Sequence, residues 1–187
     1  MSKKRPTKKR SAIPRGGNDR VMTPDSLALA IVKHFKPSGN ACEPCCGEGA
    51  FTKALEQGSS VTFIVEYEIT EGSDFLLQPT MPSDDCFDWI ITNPPWSKFL
   101  AFLKQAMSMS NNVVFLANAN AWFVKARINA MHDAGFHFRE FAYVPTPKKP
   151  WPQFGLQLAA VHISRTPGDC VFSDLDWTPE TPCQPGE

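Results

Sequence analysis

The sequence predicts an α/β fold, a doubly wound and mainly parallel sheet with an antiparallel strand near its edge. Three observations predict it. Segments rich in β-branched and aromatic residues alternate with segments of helical apolar spacing along nearly the whole chain. The last two strand-like segments, "FHFREFAYV" and "LQLAAVHIS", follow one another with no helix between them. At 187 residues and 42% hydrophobic, the chain can bury one such core and has no room for a second sizeable domain.

The elements follow in order. "VMTPDSLALAIVKHFKP" reads as a helix with Thr23 as N-cap, Pro24 at the first helical position and Pro37 beyond its end. Leu27, Ala28, Ile31, Val32 and Phe35 give it one apolar face. "GNACEPCCGEGAF" reads as a glycine-bearing turn leading into a short helix, "FTKALEQG", stopped by Gly58. "VTFIVEYEI" has strand composition and ends in acids. Residues 87 to 92 form a second strand, and Ser97 can cap a helix in which Phe99, Phe102, Leu103, Ala106 and Met107 recur at helical spacing. "NNVVFLAN" is a strand, "AWFVKARINAMHDAG" a helix closed by Gly135, and two strands complete the body.

The ends differ from the middle. Residues 1 to 20 hold eight of the 19 Lys and Arg against one acid, Asp19, leaving 11 bases against 18 acids for the rest. This gives a basic arm (1–18), a body (19–165) and a Pro-rich, acidic tail (166–187) expected to pack loosely. Clustered cations of this kind serve either solubility or sequence-blind binding to nucleic-acid phosphates. No apolar run follows them as in a secretory signal, and none approaches a membrane span, so a cytoplasmic protein without membrane contact is expected. Cys42 and Cys45 have ligand spacing, but a second pair is missing and the four histidines are scattered, so no metal is expected. A monomer with reduced thiols is the expectation.

An open α/β sheet takes its ligands beyond the carboxyl ends of its strands. Three stretches stand there. In Glu43-Pro44-Cys45-Cys46-Gly47-Glu48-Gly49, Gly47 and Gly49 would let the backbone turn sharply against a ligand. At the end of "VTFIVEYEI" a carboxylate can accept two hydrogen bonds from a ribose diol; Glu68 is the first candidate and Glu66 the reserve, since strand register decides between them. The third is Asn93-Pro94-Pro95-Trp96. Here the Asn93 side-chain oxygen and the Pro94 carbonyl would be two acceptors held rigid by the prolines, and Trp96 a stacking surface. Such acceptors would draw the hydrogens of an aromatic exocyclic amine and localise its lone pair.

Those motifs together resemble the S-adenosylmethionine-dependent amino-methyltransferases. The likeness is greatest to the adenine-N6 branch, whose signature is Asp or Asn, then Pro-Pro, then an aromatic. It runs over residues 19 to 164 in the family's order and implies a Rossmann-like sheet of the class I methyltransferase type. The resemblance implies that Thr23 and Pro24 lie near the methionine end of S-adenosylmethionine. Glu43, Pro44, Cys45, Gly47 and Gly49 would form the first cofactor loop, with Glu43 addressing the cofactor amine. Glu68 would hold the ribose, Asp74 and Phe75 the adenine, and Asn93 to Trp96 the target amine. Glu68 and Asp74 are only six positions apart, so a helix common in the family is missing between them.

The implied reaction is methyl transfer to adenine N6, with DNA favoured as the nucleic-acid partner and the target base flipped out. RNA adenine, a protein glutamine amide and a catalytically silent binding module are the alternatives. The tail is too short for a separate target-recognition region. That work would fall to the arm or to "PTPKKPWPQFG", where Lys148, Lys149, Trp151 and Phe154 combine cations with aromatics. An exposed hairpin with packed aromatics would have the same composition. By family position Phe154 would be a second wall of the base pocket.

Overall fold

The computed structural model describes residues 21–80, 86–153 and 157–179. Within them α1 (Asp25–Phe35), β1 (Ser38–Glu43), α2 (Ala50–Gly58), β2 (Ser60–Glu66), β3 (Phe87–Thr92), α3 (Phe99–Met109), β4 (Ser110–Asn118), α4 (Lys125–Asp133), β5 (His137–Tyr143), β6 (Leu158–Ser164) and β7 (Val171–Asp174) follow in sequence. The seven strands form one sheet in the order β2-β1-β3-β4-β6-β5-β7. Pairing is parallel from β2 through β4, β6 runs antiparallel to both its neighbours, and β7 is parallel to β5. The expected mainly parallel sheet is therefore present, and its antiparallel strand lies two places in from the β7 edge.

Each face of the sheet has its own core. Leu27, Ala28, Ile31 and Val32 of α1 pack with Phe51, Ala54 and Leu55 of α2 and with Ala41, Ile91 and Val114 of the sheet. On the other face Phe99, Phe102, Leu103, Ala106 and Met107 of α3 pack with Ala130 and Met131 of α4 and with Cys42, Ile90, Val113 and Phe115. The alternation of Ala41 with Cys42 and of Ile90 with Ile91 is the period of two that sends neighbouring side chains to opposite faces. The five apolar positions expected on α3 are all buried. Among the described residues no helix is long and apolar enough to cross a membrane.

Five local expectations are corrected. The stretch expected as a turn from Gly39 onwards begins with β1, paired in parallel on both sides. Its residues have low strand propensity, but a strand covered on both faces needs small side chains, and Ala41 and Cys42 are fully buried there. Gly39 adopts φ +77°, and a Cβ at this position would collide with the Asp88 carboxylate that accepts from Asn40 N–H.

Thr23 is not the N-cap of α1. Pro24 is, and its carbonyl accepts from the N–H groups of Leu27 and Ala28, which leaves the Thr23 hydroxyl for another partner. Ser97 does not cap α3, because a 3-10 turn over Trp96–Lys98 intervenes and Lys98 takes the cap position. The helix expected from Ala121 starts only at Lys125; Trp122 is pulled out of helical register to fill the core edge-to-face on Phe99. Finally, the tail is not loose over residues 171–177. β7 pairs with β5, Leu175 is buried, and the Trp177 Nε1–H donates to Ser26 Oγ at 3.2 Å.

Candidate active site

β1 has β2 on one side and β3 on the other, so the chain reverses its direction of winding at β1. The carboxyl ends of these strands open there into a crevice, the position such sheets use for ligands. A cavity of about 590 Å³ occupies it. Of the cofactor-loop candidates, Thr23, Pro44, Cys45, Gly47, Glu68, Asp74 and Phe75 line this cavity. All four residues of the Asn93-Pro94-Pro95-Trp96 turn line it as well.

Not every candidate reaches the cavity wall. Pro24 caps α1, Gly49 caps α2 in the left-handed conformation at φ +79°, and Glu43 lies behind the wall, 1% exposed. Glu66 is exposed and accepts from Thr52 Oγ1 instead. Lys148 and Lys149 are outside the cavity lining, Lys149 exposed. Phe154 lies outside the described residues. Of the two readings of Trp151, a stacking surface or a packed aromatic, the structure has the second: the ring is 3% exposed and buried at the cavity wall. Its indole meets Trp96 edge-on at 6.2 Å and donates through Nε1 to the Met22 carbonyl at 3.2 Å. An indole with both its ring and its N–H satisfied inside has no reason to face solvent.

The acidic wall is held by short loops. Glu68 caps a 3-10 turn over Ile69–Glu71, and its carboxylate accepts from Thr70 N–H at 3.1 Å, Thr70 Oγ1 at 2.8 Å and Gly47 N–H at 3.0 Å. The last of these ties the β1 loop to the β2 loop, and it requires Gly47 in its left-handed conformation at φ +53°. Asp74 caps the turn Phe75–Leu77 by accepting from Leu76 N–H at 2.9 Å, while the Phe75 ring is buried between Tyr67 and Phe102. Glu68 is thus the carboxylate that reaches the crevice.

Glu43 is strongly perturbed. Its Oε1 accepts from the Thr92 hydroxyl and from Cys45 N–H at 3.2 Å, whereas its Oε2 is buried without a hydrogen-bond partner among the described residues. Burial pushes its carboxyl up to about 8; the Thr92 and Cys45 hydrogen bonds oppose that, and the charges of Glu66 and Glu68 add to it. Burial also raises the Cys45 thiol well above its usual range, with Glu43 contributing, so the thiol stays protonated. Its Sγ lies 2.9 Å from Thr92 Oγ1 and 3.5 Å from the Asn93 carbonyl oxygen. Thr92, which no sequence motif singles out, therefore joins the acidic loop to the Pro-Pro turn. The available signal is a hydroxyl at the buried end of an apolar strand, a polar group that must find a partner.

On the turn itself, Asn93 Nδ2 donates to the Val21 carbonyl at 3.2 Å and to Thr23 Oγ1 at 3.3 Å. No described residue donates to its Oδ1. The side-chain oxygen is left with its acceptor capacity unused, on a residue that lines the cavity. Among the described residues no group of His, Cys, Asp or Glu is arranged to hold a metal ion.

No protein-family model and no curated protein sequence matches the chain. Solved structures do. A Listeria monocytogenes protein described as a class I S-adenosylmethionine-dependent methyltransferase superposes with a TM-score of 0.60 at 13% identity, covering 86% of this chain and 67% of its own. The modification subunit described for a type I restriction enzyme of Vibrio vulnificus YJ016 gives 0.65 at 14% identity, covering 86% of this chain and 48% of its own. The type I restriction-modification methyltransferase subunit of Streptococcus thermophilus gives 0.60 at 14%, with 82% and 47% covered. The fold is that of the class I methyltransferases. The chain spans about half the length of the two modification subunits.

The residues at the crevice fit S-adenosylmethionine. Four carboxylates (Asp25, Glu48, Glu68 and Asp74) line the cavity against one cation, Lys98. That balance favours a ligand carrying positive charge. Behind that wall lies the Glu43 carboxyl, joined to the lining through Cys45 N–H and with its Oε2 lacking a hydrogen-bond partner among the described residues.

Proposed function

We propose that this protein transfers the methyl group of S-adenosylmethionine to the exocyclic N6 amine of adenine in DNA. The observation that carries the reading is the Asn93 side chain. Its amide nitrogen is engaged by Val21 and Thr23, and its oxygen keeps its acceptor capacity on a residue that lines the same cavity as the carboxylates.

When bound, the cofactor would supply an electrophilic methyl carbon on a sulfonium. The chain's own residues supply position and polarity. Glu68 would accept from the ribose hydroxyls with the lone pairs that Gly47 and Thr70 leave over. Asp74 and Phe75 would hold the adenine of the cofactor, and Glu43 its ammonium. At the other wall, Asn93 Oδ1 and the Pro94 carbonyl would accept the two amine hydrogens of the target. That pulls the nitrogen towards tetrahedral geometry and localises the lone pair that attacks the methyl carbon. With the C–S bond of the donor broken and a neutral thioether left behind, the proton lost from the methylated nitrogen would pass to solvent past these acceptors, so no strong base is needed, and most of the acceleration would come from alignment. Trp96, braced edge-on by Trp151, offers the flipped base a stacking face. The modification-subunit neighbours and the eight cations in residues 1–20 support DNA as the carrier of that base.

The test is to incubate the protein with S-adenosylmethionine and DNA from a methylation-free host, then to digest it and identify nucleosides by mass spectrometry. N6-methyladenine, absent with Asn93→Ala, is the expected result. Cofactor binding with no methylated nucleoside would overturn the DNA reading and direct the same assay to RNA and to peptide glutamine.

A further inference from the structure

A primary amide is nearly symmetric in shape, and turning it by half a revolution exchanges oxygen for NH₂ at little intrinsic cost. For Asn93 that exchange would be ruinous, because NH₂ would then meet the amine hydrogens of the target. The Pro-Pro turn fixes the backbone but not this rotation, so something else must choose the orientation.

The geometry points to residues Val21 to Thr23 as a strap that sets the Asn93 amide, with Thr23 as a positioning residue of the transfer step. This rests on the methyltransferase reading above. The Val21 carbonyl can only accept, so it dictates that nitrogen, not oxygen, faces the strap. The Thr23 hydroxyl lies 3.3 Å from the same nitrogen and takes its second proton, available because Pro24 and not Thr23 caps α1. With both protons spent on the strap, the oxygen is turned away from it.

The strap is itself anchored. The Met22 carbonyl between the two contacts accepts from the buried Trp151 indole, and the Met22 Sδ lies 3.1 Å from where a Cβ on Gly47 would stand. Three residues thus touch the acidic loop, the Pro-Pro turn and the loop carrying Trp151, and all three line the cavity. The resemblance places Thr23 beside the methionine end of the cofactor; the hydrogen bond to Asn93 gives it a second role, on the target side.

The experiment compares Thr23→Val, which keeps shape and removes the hydroxyl, with Thr23→Ser, which restores it. Two readouts are used. In the first, Thr23→Val should lower kcat at saturating S-adenosylmethionine about five- to tenfold, the equivalent of one net hydrogen bond, whatever its effect on cofactor affinity, and Thr23→Ser should recover most of the rate. In the second, the Asn93 side-chain amide resonances, assigned by their loss in Asn93→Ala, should shift and exchange faster with water in Thr23→Val but not in Thr23→Ser. An unchanged kcat at saturating cofactor, or failure of Ser to rescue it, would overturn the positioning role. So would amide resonances indifferent to Thr23→Val. If the unaltered protein methylates no substrate, the functional reading fails, and the amide resonances alone decide whether the strap orients Asn93.

Discussion

The two walls of the cavity are built in different ways. On the acidic wall Glu68 and Asp74 are set by a near neighbour or by one adjoining loop, Glu68 by Thr70 and Gly47 and Asp74 by Leu76, and of the carboxyls around it only Glu43, behind the wall, also takes a distant donor, the Thr92 hydroxyl 49 residues on. On the target wall the contacts span the chain: Asn93 to Val21 over 72 residues and Trp151 to Met22 over 129. The first wall is a set of local turns that a short motif can encode. The second exists only once the sheet has folded and the N-terminal segment is laid against it.

Breaking the target wall at its centre should have the largest effect. Asn93→Ala removes one of two proposed acceptors and should lower transfer on the order of 10²- to 10³-fold, as removing one preorganised polar group does elsewhere. Cofactor affinity measured by calorimetry should remain within about twofold of the unaltered protein, because Asn93 belongs to the other wall. A matched fall in affinity would mean that the two walls do not act separately.

Next in size is the arm. Deleting residues 2–15 removes Lys3, Lys4, Arg5, Lys8, Lys9, Arg10 and Arg15. Each phosphate that the shortened chain no longer neutralises should reduce the slope of log affinity against log salt by roughly 0.9. DNA binding at several salt concentrations measures this, and an unchanged slope would assign the arm to solubility.

The acidic wall can be sharpened through pH. Glu43 titrates near 8 in the folded chain against an ordinary 4.5, so the folded state holds a proton over that interval that the unfolded chain has released. The stability it contributes is fully present below pH 4.5 and is lost as pH rises through about 8. The melting temperature should therefore fall from about pH 4.5 to about 8, and Glu43→Gln should remove that part of the fall. A cationic ligand favours the charged carboxylate, so binding expels the proton. Affinity for S-adenosylmethionine should rise with pH by up to about tenfold per unit below about 8 and level off above it. A flat profile would place the ammonium elsewhere.

How much of this was legible in the sequence follows from the same contrast. The Asn93-Pro94-Pro95-Trp96 turn, Glu68 and the Asp74-Phe75 pair could be read because residue type, spacing and a preceding strand are local information. The alternation of elements also carried the fold class. β1 escapes such reading because Ser38–Glu43 is chosen for smallness between two packed faces, a tertiary demand that overrides strand propensity. β7 escapes it because it is four residues long, with only Val171 and Phe172 apolar and both exposed, within a tail of prolines and acids. Thr92, the Val21–Thr23 strap and the burial of Trp151 depend on partners far away in sequence. The Glu66 or Glu68 ambiguity was a question of where β2 stops: it ends at Glu66, and the chain then turns Glu68 towards Gly47.

The smallest expected effect probes the bracing of the target wall. Trp151→Phe keeps an aromatic ring against Trp96 but deletes the indole N–H that holds the Met22 carbonyl. Leaving that carbonyl without its buried donor should cost about 1 kcal/mol, which for a domain of this size is a fall in melting temperature of roughly 2–4 °C. Because the strap keeps its two hydrogen bonds to Asn93, kcat should drop only a fewfold, and combination with Thr23→Val should cost more than the two changes multiplied together. Two changes loosening the same three residues must couple if the strap works as a unit. Strictly multiplicative rates, measured on the double variant, would instead make Trp151 a packing residue whose link to Met22 has no bearing on how Asn93 is held.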